Sequence, residues 1–106
     1  MKYKEFTIQY ALGTIDEDTL YDMADTTKDK KILSILSKDS SVRYKVANNP
    51  NTPIDILEVL SKDEDNDVRY WVADNLNTPI DILRVLSKDE NSGVRYWVLN
   101  NPKYKG

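Results

Sequence analysis

Val68-Arg69-Tyr70-Trp71-Val72-Ala73-Asp74-Asn75-Leu76-Asn77-Thr78-Pro79-Ile80-Asp81-Ile82-Leu83 decides the reading of this chain, because it is written nearly three times. Val42-Arg43-Tyr44-Lys45-Val46-Ala47-Asn48-Asn49-Pro50-Asn51-Thr52-Pro53 precedes it, and Val94-Arg95-Tyr96-Trp97-Val98-Leu99-Asn100-Asn101-Pro102 follows it. The step from Val42 to Val68 and from Val68 to Val94 is 26 residues. A fixed period in this range marks an architecture of stacked units, none of which can bury its apolar face alone. The reading is an all-α solenoid of short length.

A second element recurs with the first. Ile32-Leu33-Ser34-Ile35-Leu36-Ser37-Lys38-Asp39 matches Ile56-Leu57-Glu58-Val59-Leu60-Ser61-Lys62-Asp63 and Ile82-Leu83-Arg84-Val85-Leu86-Ser87-Lys88-Asp89. Each unit therefore reads as a longer helix, an acidic link, a short helix and an Asn/Pro turn. The link before Val68 is two residues longer than the link before Val42, an insertion expected to lengthen the loop at little cost. Thr52-Pro53-Ile54-Asp55 and Thr78-Pro79-Ile80-Asp81 carry the signals of a helix start: Thr as N-cap, Pro at the first helical position and an acid three residues after the Thr. Asn48-Asn49-Pro50 ends the helix before it.

Residues 1–27 depart from the pattern and read as divergent capping helices at the start of the stack, residues 28–102 as about three units, and residues 103–106 as a tail. Phe6, Ile8 and Tyr10 would suit a strand, and Phe6, Tyr10 and Ala11 a helical face; the helical surroundings favour a helix closed at Gly13 by a left-handed residue. Thr14 is the expected N-cap of the next helix, with Asp16, Glu17 and Asp18 at the positive end of its dipole.

Composition narrows the chemistry. The 106 residues contain no cysteine and no histidine, and 15 basic against 18 acidic residues leave a formal charge of −3. Disulfides, thiolate chemistry, Cys/His zinc sites and imidazole general bases are excluded. There is no apolar run of signal-peptide or membrane-spanning kind. These points suggest a soluble, cytoplasmic protein without a cofactor. Asp63-Glu64-Asp65-Asn66-Asp67 resembles the opening of a calcium loop, but Val68 stands where that loop needs Gly and Asp74 where it needs a bidentate Glu. No metal site is expected, and the thrice-repeated serines read as architecture, so the chain is not expected to be an enzyme.

At 100° per residue, Val68, Arg69, Val72 and Ala73 converge on one face, which must be the inward one. Arg43, Arg69 and Arg95 then run along the core and are assigned structural roles, meeting a carboxylate or the carbonyls of a neighbouring unit. Thr52, Pro53, Thr78 and Pro79 are structural as well. Tyr70 and Trp71 fall on the two outer flanks, with Asp74 between them. Tyr44, Tyr70 and Tyr96 make one row, and Lys45, Trp71 and Trp97 another. Either these rows are open to a partner or the rings pack into the groove between consecutive units. Tyr44, Lys45, Tyr70, Trp71, Asp74, Tyr96 and Trp97 are the candidate partner-binding residues. Positions that vary between units, among them Asn48, Asp74 and Asn100 on one row and Glu58 and Arg84 on the longer helices, could encode the partner.

On these residues the chain resembles the leucine-rich repeat variant family, whose pattern runs Val-Arg-x-x-Val-Ala-x-Asn-Pro-x-Thr-Pro followed by a Leu-bearing helix. Val42, Arg43, Val46, Ala47, Asn49, Pro50, Thr52 and Pro53 match it, as do Leu57, Leu60 and Asp63. The second unit keeps Val68, Arg69, Val72, Ala73, Asn75, Thr78 and Pro79 with Leu76 in place of Pro; the third keeps Val94, Arg95, Val98, Asn101 and Pro102. The resemblance covers about residues 28–102. It implies a right-handed superhelix in which α-helices alternate with short 3₁₀ helices, and it implies no general activity. An iron–sulfur centre carried by some members has no cysteine ligands here. The leading functional expectation is a protein-binding module. The alternative is nucleic-acid binding through Arg43, Tyr44, Lys45 and Lys103-Tyr104-Lys105, against which the net negative charge stands.

Overall fold

The computed structural model describes residues 1–104, and the described residues form eight α-helices and no strand. They are α1 (Tyr3–Leu12), α2 (Glu17–Thr26), α3 (Lys30–Leu36), α4 (Arg43–Asn48), α5 (Ile54–Leu60), α6 (Asn66–Asp74), α7 (Ile80–Leu86) and α8 (Ser92–Asn100). Every second helix packs on the next of its kind: α2 on α4, α4 on α6, α6 on α8. On the other side α1 meets α3, while α3, α5 and α7 each lie against the helix that follows them. The molecule measures 44 × 20 × 18 Å. Among the described residues no helix is long and apolar enough to cross a membrane.

The 26-residue period becomes one continuous apolar interior. Leu33 and Leu36, Leu57 and Leu60, Leu83 and Leu86 enter it from one side, at 0–2% exposure. Val42 and Val46, Val68 and Val72, Val94 and Val98 enter from the other, at 0–1%. Each such side chain contributes roughly 1.5–3 kcal/mol when fully buried. Phe6 and Ala24 join the same cluster, so α1 and α2 share the core of the later helices.

The helix lengths keep the expected order around α4 and invert it around α6 and α8. The Val-Arg-Tyr helices were expected to be the short ones, with 3₁₀ geometry under the family resemblance. All are α-helical, and α6 and α8 have nine residues against seven in α5 and α7. The cause is the two-residue insertion, which does not lengthen the loop. The Asp65 carboxylate accepts from the Asp67 N–H (2.9 Å), and the Asn91 Oδ1 from the Val94 N–H (3.1 Å). These caps draw the extra residues into a first helical turn. In α4, which lacks the insertion, no side chain caps the start and the helix has six residues.

Three expected caps are also displaced. Gly13 does close α1 in the left-handed conformation (φ 70°). Thr14, however, belongs to that closure: its N–H and hydroxyl both turn back to the Gln9 carbonyl (3.0 and 3.3 Å). Asp16 caps α2 instead, accepting from the Thr19 N–H and hydroxyl, each at 2.8 Å. Pro53 and Pro79 occupy the N-cap position rather than the first helical one. Thr52 and Thr78 are buried, and their hydroxyls donate backwards to the Val46 and Val72 carbonyls, both at 2.6 Å. Those carbonyls also accept the Asn49 and Asn75 N–H groups (3.1 and 3.2 Å), so each hydroxyl finds its own partner by adding a second donor at the end of the preceding helix. Asp55 and Asp81 accept from the next residue's N–H and close no capping box.

Candidate functional site

The aromatic residues of α6 and α8 form one connected array instead of two separate rows. Trp71 meets Tyr70 edge-on at 5.1 Å between ring centroids, Tyr70 meets Trp97 at 5.4 Å, and Trp97 meets Tyr96 at 5.6 Å. Such edge-to-face pairs add roughly 0.5–1.5 kcal/mol each beyond the area they bury. The link between units is Tyr70 with Trp97, so the position held by Trp97 faces the preceding helix. Tyr70, Trp71 and Trp97 are half-buried, whereas Tyr96 is 58% exposed. Both alternatives drawn from the sequence are therefore partly realised: the rings fill the seam between α6 and α8 and still present an edge to solvent.

Tyr44, Lys45 and Asp74 are half-buried on α4 and α6. Lys45 Nζ lies over the Tyr44 ring, 5.7 Å from its centroid. The row has a further member that the sequence reading missed. The Asn49 amide reaches the Ala24 carbonyl (3.1 Å) as Asn75 reaches that of Ala47 (2.8 Å), which aligns Ala24 with Ala47 and Tyr21 with Tyr44. The shared Tyr-x-x-Ala spacing was the available signal. Tyr21 donates to Glu17, and this hydrogen bond raises its pKa to about 12. Along the second row α2 has Asp22 and α4 has Lys45 where α6 and α8 have Trp, so the aromatic site belongs to one half of the molecule.

Arg43 and Arg69 hold successive units together, each reaching one unit ahead. Arg69 Nε and Nη2 grip both oxygens of Asp89 (2.8 and 3.2 Å), while Nη1 donates to the Asp63 and Glu64 carbonyls (2.8 and 3.2 Å). Arg43 Nη2 donates to Asp63 Oδ1 at 3.1 Å, and its Nε lies 2.8 Å from Oδ2 as an ionic contact off the N–H axis. Arg95 differs: it is exposed, and its Nη1 donates only to the Asp89 carbonyl at 2.6 Å. Arg43, which the nucleic-acid alternative needs, is thus committed to Asp63. Tyr104 packs against the core, and Lys105 lies outside the described residues.

The same links set a pH dependence. Burial alone would raise the Asp89 pKa, but hydrogen bonds from Arg69 and the Asn91 N–H outweigh it and hold the carboxyl below its usual range. Asp39 is lowered in the same way, with Tyr10 and Ser41 as donors against the effect of burial. A carboxyl with a depressed folded-state pKa stabilises the fold above its unfolded value of about 3.9 and loses that contribution as pH falls further. Tyr10 is raised to about 12 by burial and by its bond to Asp39, and its contribution fades as pH rises from 10 through that value. Thermal melts are therefore expected to be flat from about pH 5 to 9 and to fall below about pH 4. Asp89→Asn should start from a lower Tm and show a shallower acid limb; an unchanged acid limb would show that Asp89 is not the group titrating.

Two clefts lie on the opposite side of the molecule, between α3 and α5 (about 280 Å³) and between α5 and α7 (about 220 Å³). They are lined by equivalent residues: Ser37, Lys38, Asp55 and Val59 in one, Ser61, Lys62, Asp81 and Val85 in the other. The Ser37 and Ser61 hydroxyls donate to the Ser34 and Glu58 carbonyls (2.7 and 2.6 Å). No protein-family model matches the chain, and no curated protein and no solved structure is significantly similar to it.

Proposed function

We propose that this chain is a short helical solenoid of the leucine-rich repeat variant kind, acting in the cytoplasm as a non-enzymatic protein-binding module. In this reading the partner contacts the array Trp71–Tyr70–Trp97–Tyr96, with Lys45 and Asp74 at its border. The observation that carries the reading is the state of those rings: connected, held in place by one another, and only half-covered. Rigid aromatic side chains with uncovered edges lose little conformational entropy on binding and gain large apolar contact, which is why Trp and Tyr dominate interface energetics. The half-buried acids Asp63 and Asp89 are paired with arginine, and no histidine or cysteine is present, which supports a binding role over a catalytic one. A binder of this size would act as an adaptor, or as an inhibitor that occludes its target.

The chain has two tryptophans, both in this array, so their fluorescence reports on the site. Partners recovered from an extract of the source organism should shift the emission and shield it from an aqueous quencher. A Trp71→Phe/Trp97→Phe variant keeps the packing volume, and Tyr96→Ala removes only an exposed ring. Tyr96→Ala should weaken the complex by about tenfold or more if the ring is a hot spot. Full-strength binding by both variants, with unchanged thermal melts, defeats the reading.

A further inference from the structure

The geometry points to a second interface, in which the α8 end of one molecule receives the α2 end of a second copy, head to tail.

At the α8 end the pattern of contacts inside the molecule is left incomplete. Arg43 and Arg69 each take a carboxylate from the unit ahead, Asp63 and Asp89. Arg95 has none among the described residues and is exposed. Ala24, Ala47 and Ala73 are each 0% exposed, and each gives its carbonyl to the asparagine of the following unit. The residue at that position in α8 is Leu99, 68% exposed, beside Tyr96 at 58%. An apolar patch is thus uncovered where every earlier helix is covered. Leu in place of Ala holds an incoming helix farther off than the helices inside the molecule hold one another, so the contact suits reversible association.

The occupant is read from charge. α8 carries Arg95 and no acid, and exposed Lys103 follows it. α2 carries Glu17, Asp18, Asp22 and Asp25 and no base, and its N-cap is Asp16. The Ala24 alignment sets Asp22 at the position of Trp97, and Trp97 shows that this position faces the preceding helix. In α2 it faces outward, and Asp22 is exposed. Seated on α8, a second copy brings Asp22 toward Tyr96 and Arg95, and its N-cap Asp16, the counterpart of Asp65 and Asn91, stands two residues past the position from which Asp63 and Asp89 reach their arginines. Two α8 ends would oppose Arg95 with Arg95, and two α2 ends would oppose acid with acid. Only the head-to-tail arrangement is complementary. It is heterologous, so it does not close at two molecules and grows as an open chain.

Sedimentation of the full chain tests this. In low salt the weight-average mass is expected to rise with concentration past that of a dimer. Near 1 M salt, where the screening length is about 3 Å, it should fall toward the monomer. Leu99→Arg and Asp18→Lys/Asp22→Lys alter exposed side chains at opposite ends, and each alone should remain monomeric with unchanged helical circular dichroism. Mixed in equal amounts, they have one intact end each and should form a 1:1 dimer and nothing larger. Lys103→Glu serves as a second tail variant should Leu99→Arg disturb the fold. The proposal is overturned if the wild type stays monomeric up to about 1 mM. It is equally overturned by a mass that levels off at a dimer, or by a mixture that remains monomeric. The two surfaces share Tyr96, so the variants used here leave that residue unchanged.

Discussion

Asn75→Ala is expected to destabilise the protein by about 3 kcal/mol, a large part of the roughly 5–15 kcal/mol available to a domain. Asn75 is 5% exposed. Its amide donates to the Ala47 carbonyl (2.8 Å) and the Asn49 carbonyl (3.0 Å), while its Oδ1 accepts from the Asn77 N–H (2.9 Å). One side chain thus satisfies three backbone groups and joins the turn after α6 to the turn after α4. Alanine leaves the Ala47 carbonyl without a donor, the Asn49 carbonyl with the Thr52 N–H alone and the Asn77 N–H without its acceptor, and each unpaired buried group costs about 1–3 kcal/mol. Asn75→Asp is the sharper test. It keeps size and the acceptor for Asn77, but sets a carboxylate against two carbonyl oxygens, so it should cost at least as much. Asn49 and Asn101 make the same pair of bonds one unit back and one unit ahead. Asn101→Ala should cost less than Asn75→Ala, because it releases only the α6–α8 joint, whereas Asn75 sits in the middle of the series. Urea unfolding measures all three. A loss under about 1 kcal/mol for Asn75→Ala, or a neutral Asn75→Asp, would show that the amide does not hold the units together.

The asparagines show where sequence reading stops. Their recurrence every 26 residues is plain, but Asn before Pro reads locally as a turn that breaks a helix. That the amide points sideways into the neighbouring unit depends on a partner 25 to 28 residues away, which no local rule reaches. Thr52 and Thr78 failed for a related reason: the N-cap pattern was correct as a pattern, yet burial gave the hydroxyl a better partner behind it. What the sequence did carry was periodicity. Val68, Arg69, Val72 and Ala73 fall on the buried face of α6, where the 100° step puts them. The aromatic flanks were legible as positions, since Tyr70 and Trp71 do sit beside that face. Their joining into one array was not, because it rests on how closely α8 lies against α6.

Arg69→Ala is the second large effect expected, at about 3–5 kcal/mol, because it strands a buried carboxylate as well as removing a guanidinium. The side chains of Arg69 and Asp89 are 11% and 10% exposed, and Asp89 would be left with the Asn91 N–H as its remaining partner. The two backbone carbonyls on Nη1 would also lose their donor. The three arginines should grade in order of what each holds. Arg43→Ala should cost about 1.5–3 kcal/mol, since Arg43 serves Asp63 alone and the pair is more open, at 20% and 13%. Arg95→Ala should lie within about 0.5 kcal/mol of wild type, as an exposed residue with one backbone bond. Arg69→Lys should recover little, because an ammonium cannot grip both oxygens of Asp89 and reach two carbonyls from one plane. The decisive comparison is Arg69→Met/Asp89→Leu. Removing both charges also removes both desolvation costs, so the double variant should be much closer to wild type than Arg69→Ala alone. If the double variant falls as far as the single one, the energy lies in the carbonyl bonds of Nη1 and not in the ion pair; if neither falls, the link between successive units is apolar alone.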